Sequence, residues 1–141
     1  MAAEDGIVVA GEGDIGVAEK TLAEDYVENS PMPGGTADKA GAIAMFNMMR
    51  SQTPDMHIDI EDVIATGNRV AVRSTMTGTD TEGFMPGTPA TGKPFSMGAI
   101  DVFTFNDAGM NTEHDGVYAI MGTTGQLGRL PPHPDCSATL A

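Results

Sequence analysis

Phe95 to Met121 constrains the chain more than any other stretch, because apolar and polar residues alternate there on both sides of a turn signal. Ala99, Asp101, Phe103 and Phe105 share one face of the first strand, since successive strand side chains point to opposite sides. A carboxylate thus stands in an apolar row. Such an acid needs a partner against its desolvation cost, or it has a use for a perturbed pKa. Asn106-Asp107-Ala108-Gly109 reads as the turn of a hairpin. With a four-residue loop, Phe105 pairs with Met110, and Asp101 lies opposite His114 on the same face. A one-residue bulge at Gly109 instead brings Asp101 nearest to Glu113 or Asp115. The residues leave both registers open.

A chain of 141 residues with 40% hydrophobic residues is one domain, long enough to bury a core. Its 20 acidic and 7 basic residues give a formal charge of -13, which argues against nucleic acid and anionic membranes as partners. The lone cysteine, Cys136, has no internal disulfide partner, so a reducing, cytoplasmic compartment is expected. The start lacks the pattern of a signal peptide, and no segment is long enough to span a bilayer. Eleven methionines supply side chains that adapt to irregular cavities (Met 11).

In chain order, residues 1–13 read as a Gly-rich arm, 14–130 as the folded domain and 131–141 as a disordered tail. Val17 to Val27 carries a helical stripe that Ser30-Pro31-Met32-Pro33-Gly34-Gly35 must end. Thr36 or Asp38 can cap a second helix running to about Met49 or Arg50. Its apolar side carries Ala42, Ile43, Met45, Phe46 and Met49, broad enough to lie across a sheet. Met56 to Ala65 is a strand that loses phase near Glu61-Asp62, as at a bulge. Thr66-Gly67-Asn68 turns it into a second strand, Arg69 to Gly78. Thr79 to Pro94 is a long loop, in which Asp80 and Glu82 read as surface acids. After the hairpin, Gly122 to Leu130 forms a short helical turn. Two helices and then four antiparallel strands make an α+β domain, with a curled sheet around a helix enclosing a cavity.

Several short runs follow one another in order: Gly11-Glu12-Gly13-Asp14, Leu22 to Val27, Pro54-Asp55-Met56, Glu61-Asp62-Val63 and Asn68 to Arg73. Thr77-Gly78-Thr79, Pro89 to Lys93, Ile100 to Phe103, Glu113-His114 and Gln126-Leu127-Gly128 continue the series over about residues 11–131. In this order and spacing the runs resemble the SnoaL-like polyketide cyclases of the nuclear transport factor 2-like superfamily. The resemblance implies a cone-shaped, cystatin-like α+β barrel with an internal pocket and no metal or organic cofactor. It implies acid–base cyclisation of a polyketide ester, or a related epoxide opening, dehydration or isomerisation. It also implies homodimerisation through the outer sheet face, where Arg73 and Thr104 lie. Tyr26 and Asn29 fall where relatives bring the first helix end to the pocket. This chain departs from the pattern where Asn29 and Asp80 replace frequent histidines and where the catalytic aspartate of the cyclases falls on Gly116.

Asp101 and His114 form the leading catalytic pair, because a carboxylate that orients a histidine fixes its tautomer and raises its basicity. Asp115 is the competing acid if the hairpin is bulged. Tyr118 shares the parity of His114 and suits a developing oxyanion. Tyr26, Asn29, Phe46, Met49 and Met85 are candidate substrate contacts, with Met45 and Met97 as further cavity lining. Three scattered histidines and one tail cysteine fit no metal-ligand spacing, and no Gly-rich phosphate cradle follows a strand. The expected function is a cofactor-independent cyclase or isomerase acting on a small, apolar, oxygenated guest. The alternative is a non-catalytic binding or assembly domain on the same fold.

Overall fold

A computed structural model describes residues 15–84 and 87–130. The arm at residues 1–13, Met85, Cys136 and the tail lie outside the described residues. Among those described, α1 (Ile15–Thr21), β1 (Leu22–Glu28), α2 (Lys39–Gln52), β2 (His57–Thr66) and β3 (Arg69–Thr79) come first. Then follow β4 (Pro94–Phe105), β5 (Asn111–Tyr118) and α3 (Ile120–Gln126). The strands form one sheet in the order β1-β5-β4-β3-β2. It is mixed, because β1 runs parallel to β5 while the other neighbours are antiparallel. The expected barrel is therefore an open sheet of five strands packed against helices, and α+β is its class.

The helix expected over Val17 to Val27 stops at Thr21. Leu22–Glu28 is a strand instead, and alternation along its second half sends Tyr26 and Glu28 inward with Val27 and Asn29 outward. The second helix forms as expected. Asp38 caps it by accepting a 2.9 Å bond from the Gly41 backbone N–H. Its face packs Ala42, Ile43 and Phe46 onto Leu22 and Tyr26.

β4 is the organising strand. From Pro94 to Asp101 its residues alternate strictly between exposed and buried, which buries Phe95, Met97, Ala99 and Asp101. β3 matches it across the ladder, with Val72, Ser74 and Met76 facing inward. The bulge near Glu61 occurs, since Ile60 pairs with Ser74 but Asp62 pairs with Arg73. Gly67, at φ 57°, opens the two-residue turn into β3 by adopting a conformation that costs other residues a steric clash. The apolar centre joins Met56, Met76, Phe95, Met97 and Leu127, with Phe84 against Phe95 edge-on at 4.9 Å.

Asp80 departs from expectation, because it is fully buried rather than on the surface. The long loop closes at its neck through Asp80 N–H to the Lys93 carbonyl and Gly92 N–H to the Asp80 carbonyl. That pairing draws the Asp80 side chain under the loop, where Thr91 and Arg129 meet it. Among the described residues no helix is long and apolar enough to cross a membrane.

Candidate active site

The β4–β5 hairpin has neither of the two registers that the sequence left open. Phe105 pairs with Asn111, which makes the loop five residues long, and Thr104 then pairs with Glu113, leaving Thr112 as a bulge. Each change adds one residue, so together they restore the original parity. Asp101 lies opposite Gly116, and His114 opposite Phe103 on the same face. The next link is β1. Its parallel register sets Glu28 beside His114.

These pairings build one buried cluster. His114 Nε2 lies 2.8 Å from Asp101 Oδ1, and Nδ1 lies 2.9 Å from Glu28 Oε2. Tyr26 donates to Glu28 Oε2 at 2.7 Å, and Tyr118 donates to Asp101 Oδ1 at 3.1 Å. The Ser30 backbone N–H donates to Glu28 Oε1 at 2.9 Å. Phe103 stacks on the imidazole with ring centres 5.0 Å apart. Asp101, His114 and Glu28 are 8%, 6% and 3% exposed, so water contributes little to their solvation.

An imidazole that meets a carboxylate at each nitrogen donates at both only when doubly protonated. Burial works against that charge, but the bonds to Asp101 and Glu28 outweigh it and raise the His114 pKa to about 9. Burial likewise opposes ionisation of Glu28, yet the hydrogen bonds from His114 and Tyr26 hold its carboxyl below the ordinary range. Both phenols are pushed upward. Burial comes first for each, followed by Glu28 for Tyr26 and by Asp101 for Tyr118. At neutral pH the cluster is an imidazolium gripped by two acids, with two neutral phenols at its ends.

The grip occupies Glu28 on both oxygens but Asp101 on one. No described residue bonds Asp101 Oδ2. Asp101 also lines a cavity of about 160 Å³ between the sheet and α2, and so do His114, Tyr26 and Tyr118. The rest of that lining is mostly methionine and aromatic side chains. The carboxylate therefore has an unengaged oxygen at the edge of an apolar space, where electrostatic effects are strong.

Of the other candidates, Phe46, Met45, Met49 and Met97 line the same cavity. Asn29 does not. It is exposed and donates to Glu113 Oε1 at 2.7 Å, because Glu28 takes the inward position next to it. Asp115 pairs with Val102 and takes the face opposite to Asp101 and His114, since the two register changes cancel. Glu28 escaped the sequence reading, which had Leu22 to Val27 in a helix. The alternation Tyr26, Glu28 was the available signal. Gly116 has a packing reason of its own, because a Cβ there would strike the Tyr118 hydroxyl and ring. Tyr118 reaches Asp101 across the space that the glycine leaves.

TsrD from Streptomyces laurentii is 27% identical, with a TM-score of 0.81 over 92% of this chain and 93% of that one. IdmH from Streptomyces antibioticus, a candidate polyketide cyclase, is also 27% identical, with a TM-score of 0.78 over 90% and 96%. An LEH-like epoxide hydrolase of M. tuberculosis shares the fold alone, at 15% identity and a TM-score of 0.67 over 91% and 87%. No curated protein matches significantly. The profile of the SnoaL-like polyketide cyclases matches residues 7–127, so the chain belongs to that family.

Proposed function

We propose that the protein closes a ring in a small, apolar, oxygenated substrate of polyketide type, with Asp101 as general base and no metal or organic cofactor. One observation carries this reading. Asp101 has one oxygen fastened by an imidazolium and a phenol, and the other unengaged beside an apolar cavity. Family membership and the likeness to IdmH support the same class of reaction.

In an aldol closure, Asp101 Oδ2 takes a proton from a carbon between two carbonyls, and the C–H electrons pass into an enolate. The enolate carbon attacks a further carbonyl of the same molecule, beyond the two that flank it, forming the C–C bond and an alkoxide. Asp101 returns its proton to that alkoxide, so protons and electrons balance. His114 supplies a fixed positive charge beside the developing anion, and Tyr118 supplies a hydroxyl that can turn to it. An epoxide-opening ether closure needs a base and a separate acid together. Asp101 as the base with Tyr118 or the His114 imidazolium as the acid would meet that need as well, so the reading covers both closures. A non-catalytic binding module has less support, because it gives this cluster no task.

The test is Asp101→Asn with a neutral aromatic 1,3-dicarbonyl substrate that carries a further ketone at six-membered-ring distance. Ring formation and solvent-deuterium exchange at the acidic carbon should both fall about 10²–10⁴-fold. Exchange and turnover at the parent rate would remove Asp101 from the reaction.

We also read the outer sheet face as a homodimer contact. Ile100 and Val117 pair there and are 51% and 72% exposed. Light scattering should give twice the chain mass, and Val117→Lys should lower it. A wild-type chain that runs as a monomer ends this reading.

A further inference from the structure

The cavity beside Asp101 has a neighbour on α2. A second cleft of about 480 Å³ lies between α2 and residues 31–36, and Met32, Met45 and Met48 line both spaces. At one end of this cleft, segment and helix approach so closely that a Cβ on Gly41 would strike the Thr36 carbonyl oxygen. The close approach fixes the position of the segment against the helix. On α2 the cleft follows Gly41, Ala44, Met45 and Met48, which share a face at helical spacing. Seven residues at 1.5 Å each make that track about 10 Å long. Small residues leave depth along it. Between the two spaces stand three unbranched thioethers, which change rotamer at low cost.

The chemistry of the lining restricts the occupant. Neither space is lined by a lysine or arginine. The acid of the second cleft is Glu28, whose oxygens are already taken by His114, Tyr26 and Ser30. An anionic group in the second cleft would find no cationic partner in its lining, and its desolvation would go uncompensated. An apolar arm suits the cleft.

We infer that the substrate is elongate, with its reacting carbons at Asp101 and an uncharged apolar arm passing Met32, Met45 and Met48 into the second cleft. Ala44, at the middle of the track, sets how much arm is accepted. The inference rests on the proposed ring closure for the end that reacts, but the arm is tested by binding alone.

The probe is a series of neutral aromatic 1,3-diketones that carry a third ketone at six-membered-ring distance and n-alkyl arms from methyl to octyl, titrated calorimetrically and followed for turnover. Complete burial of a methylene corresponds to about fourfold in affinity. Wild type should gain about twofold or more per methylene until the cleft is full. Ala44→Phe should flatten the series so that short and long arms bind alike, and Ala44→Leu should give an intermediate slope. Ala44 is exposed on α2, and thermal melting checks that each variant folds. Asp101→Asn should keep the wild-type slope. A flat wild-type series, an unaltered slope in Ala44→Phe, or no binding by any member overturns the inference. A wild-type slope without turnover spares the arm and sinks the ring closure, whereas turnover without a slope does the reverse.

Discussion

Asp80 and Asp101 are both buried carboxylates with a cationic neighbour, yet their surroundings differ in one decisive respect. Asp80 is enclosed by its own chain. Thr91 donates to Oδ2 from backbone and hydroxyl at 3.0 and 2.7 Å, and Arg129 donates at 3.3 Å. Burial pushes its pKa up, but Thr91 and Arg129 outweigh that and hold it below the usual carboxylate range. Among the described residues its other oxygen, also buried, has no partner, and neither has Arg129 Nε. Asp101 borders a cavity instead. An unengaged oxygen facing protein is a cost, while one facing a cavity can act on a guest. Burial and charge pairing alone do not separate a structural acid from a reactive one; what the unengaged oxygen faces does.

Substitution should break this contrast most visibly. Asp101→Asn should lower turnover about 10²–10⁴-fold while circular dichroism stays native. Asp80→Asn should destabilise the fold by about 3 kcal/mol, because Arg129 loses its counter-charge in a mostly buried site. The protein that remains folded should turn over at the parent rate. Equal losses of activity in the two variants would erase the distinction.

The pH dependence of stability is the next sharpest probe. Folding raises the His114 pKa above its ordinary 6.5, so its contribution is whole below 6.5 and drains away as pH climbs through about 9. That contribution is at most on the order of 3 kcal/mol. Glu28 works in the other direction. Its depressed pKa adds stability above the ordinary 4.5, and this is lost as pH falls through the folded value. Glu28→Gln removes one of the two acids on His114, so the alkaline loss should begin at lower pH. Unfolding midpoints measured from pH 5 to 10 check this, and an unmoved alkaline limb would show that Glu28 does not hold the charge.

The smallest effect is expected at Gly116→Ala. The added methyl displaces Tyr118 from Asp101, which should cost about 1–2 kcal/mol of stability and a modest part of the rate. Tyr118→Phe should reproduce the change in rate without the packing cost. A Gly116→Ala variant with parent stability and rate would show that Tyr118 has another resting place.

The inward position of Asp101 was legible because β4 alternates without interruption. The shared face of His114 was legible by parity, although the pairing itself was not. A five-residue loop and the bulge at Thr112 each shift the register by one, and alternation is blind to a shift of two. Glu28 was hidden for a different reason. β1 is a short, acid-rich edge strand whose local pattern also satisfies a helix, and only its distant parallel pairing with β5 decides the matter. Asn29 was misplaced by the same cause. Asp80 was misread because a long Gly- and Pro-containing loop reads as solvent-facing unless the bonds at its neck are known.

Glu28 and His114 stand 86 positions apart in sequence. A nascent chain that has released only its first half therefore carries Glu28 but neither the imidazolium nor Asp101. The aspartate gains its full company only after the two ends of the domain have met. Chemical competence therefore waits on the joining of β1 to β5, and a chain cut short before His114 has no armed acid to turn on what it touches.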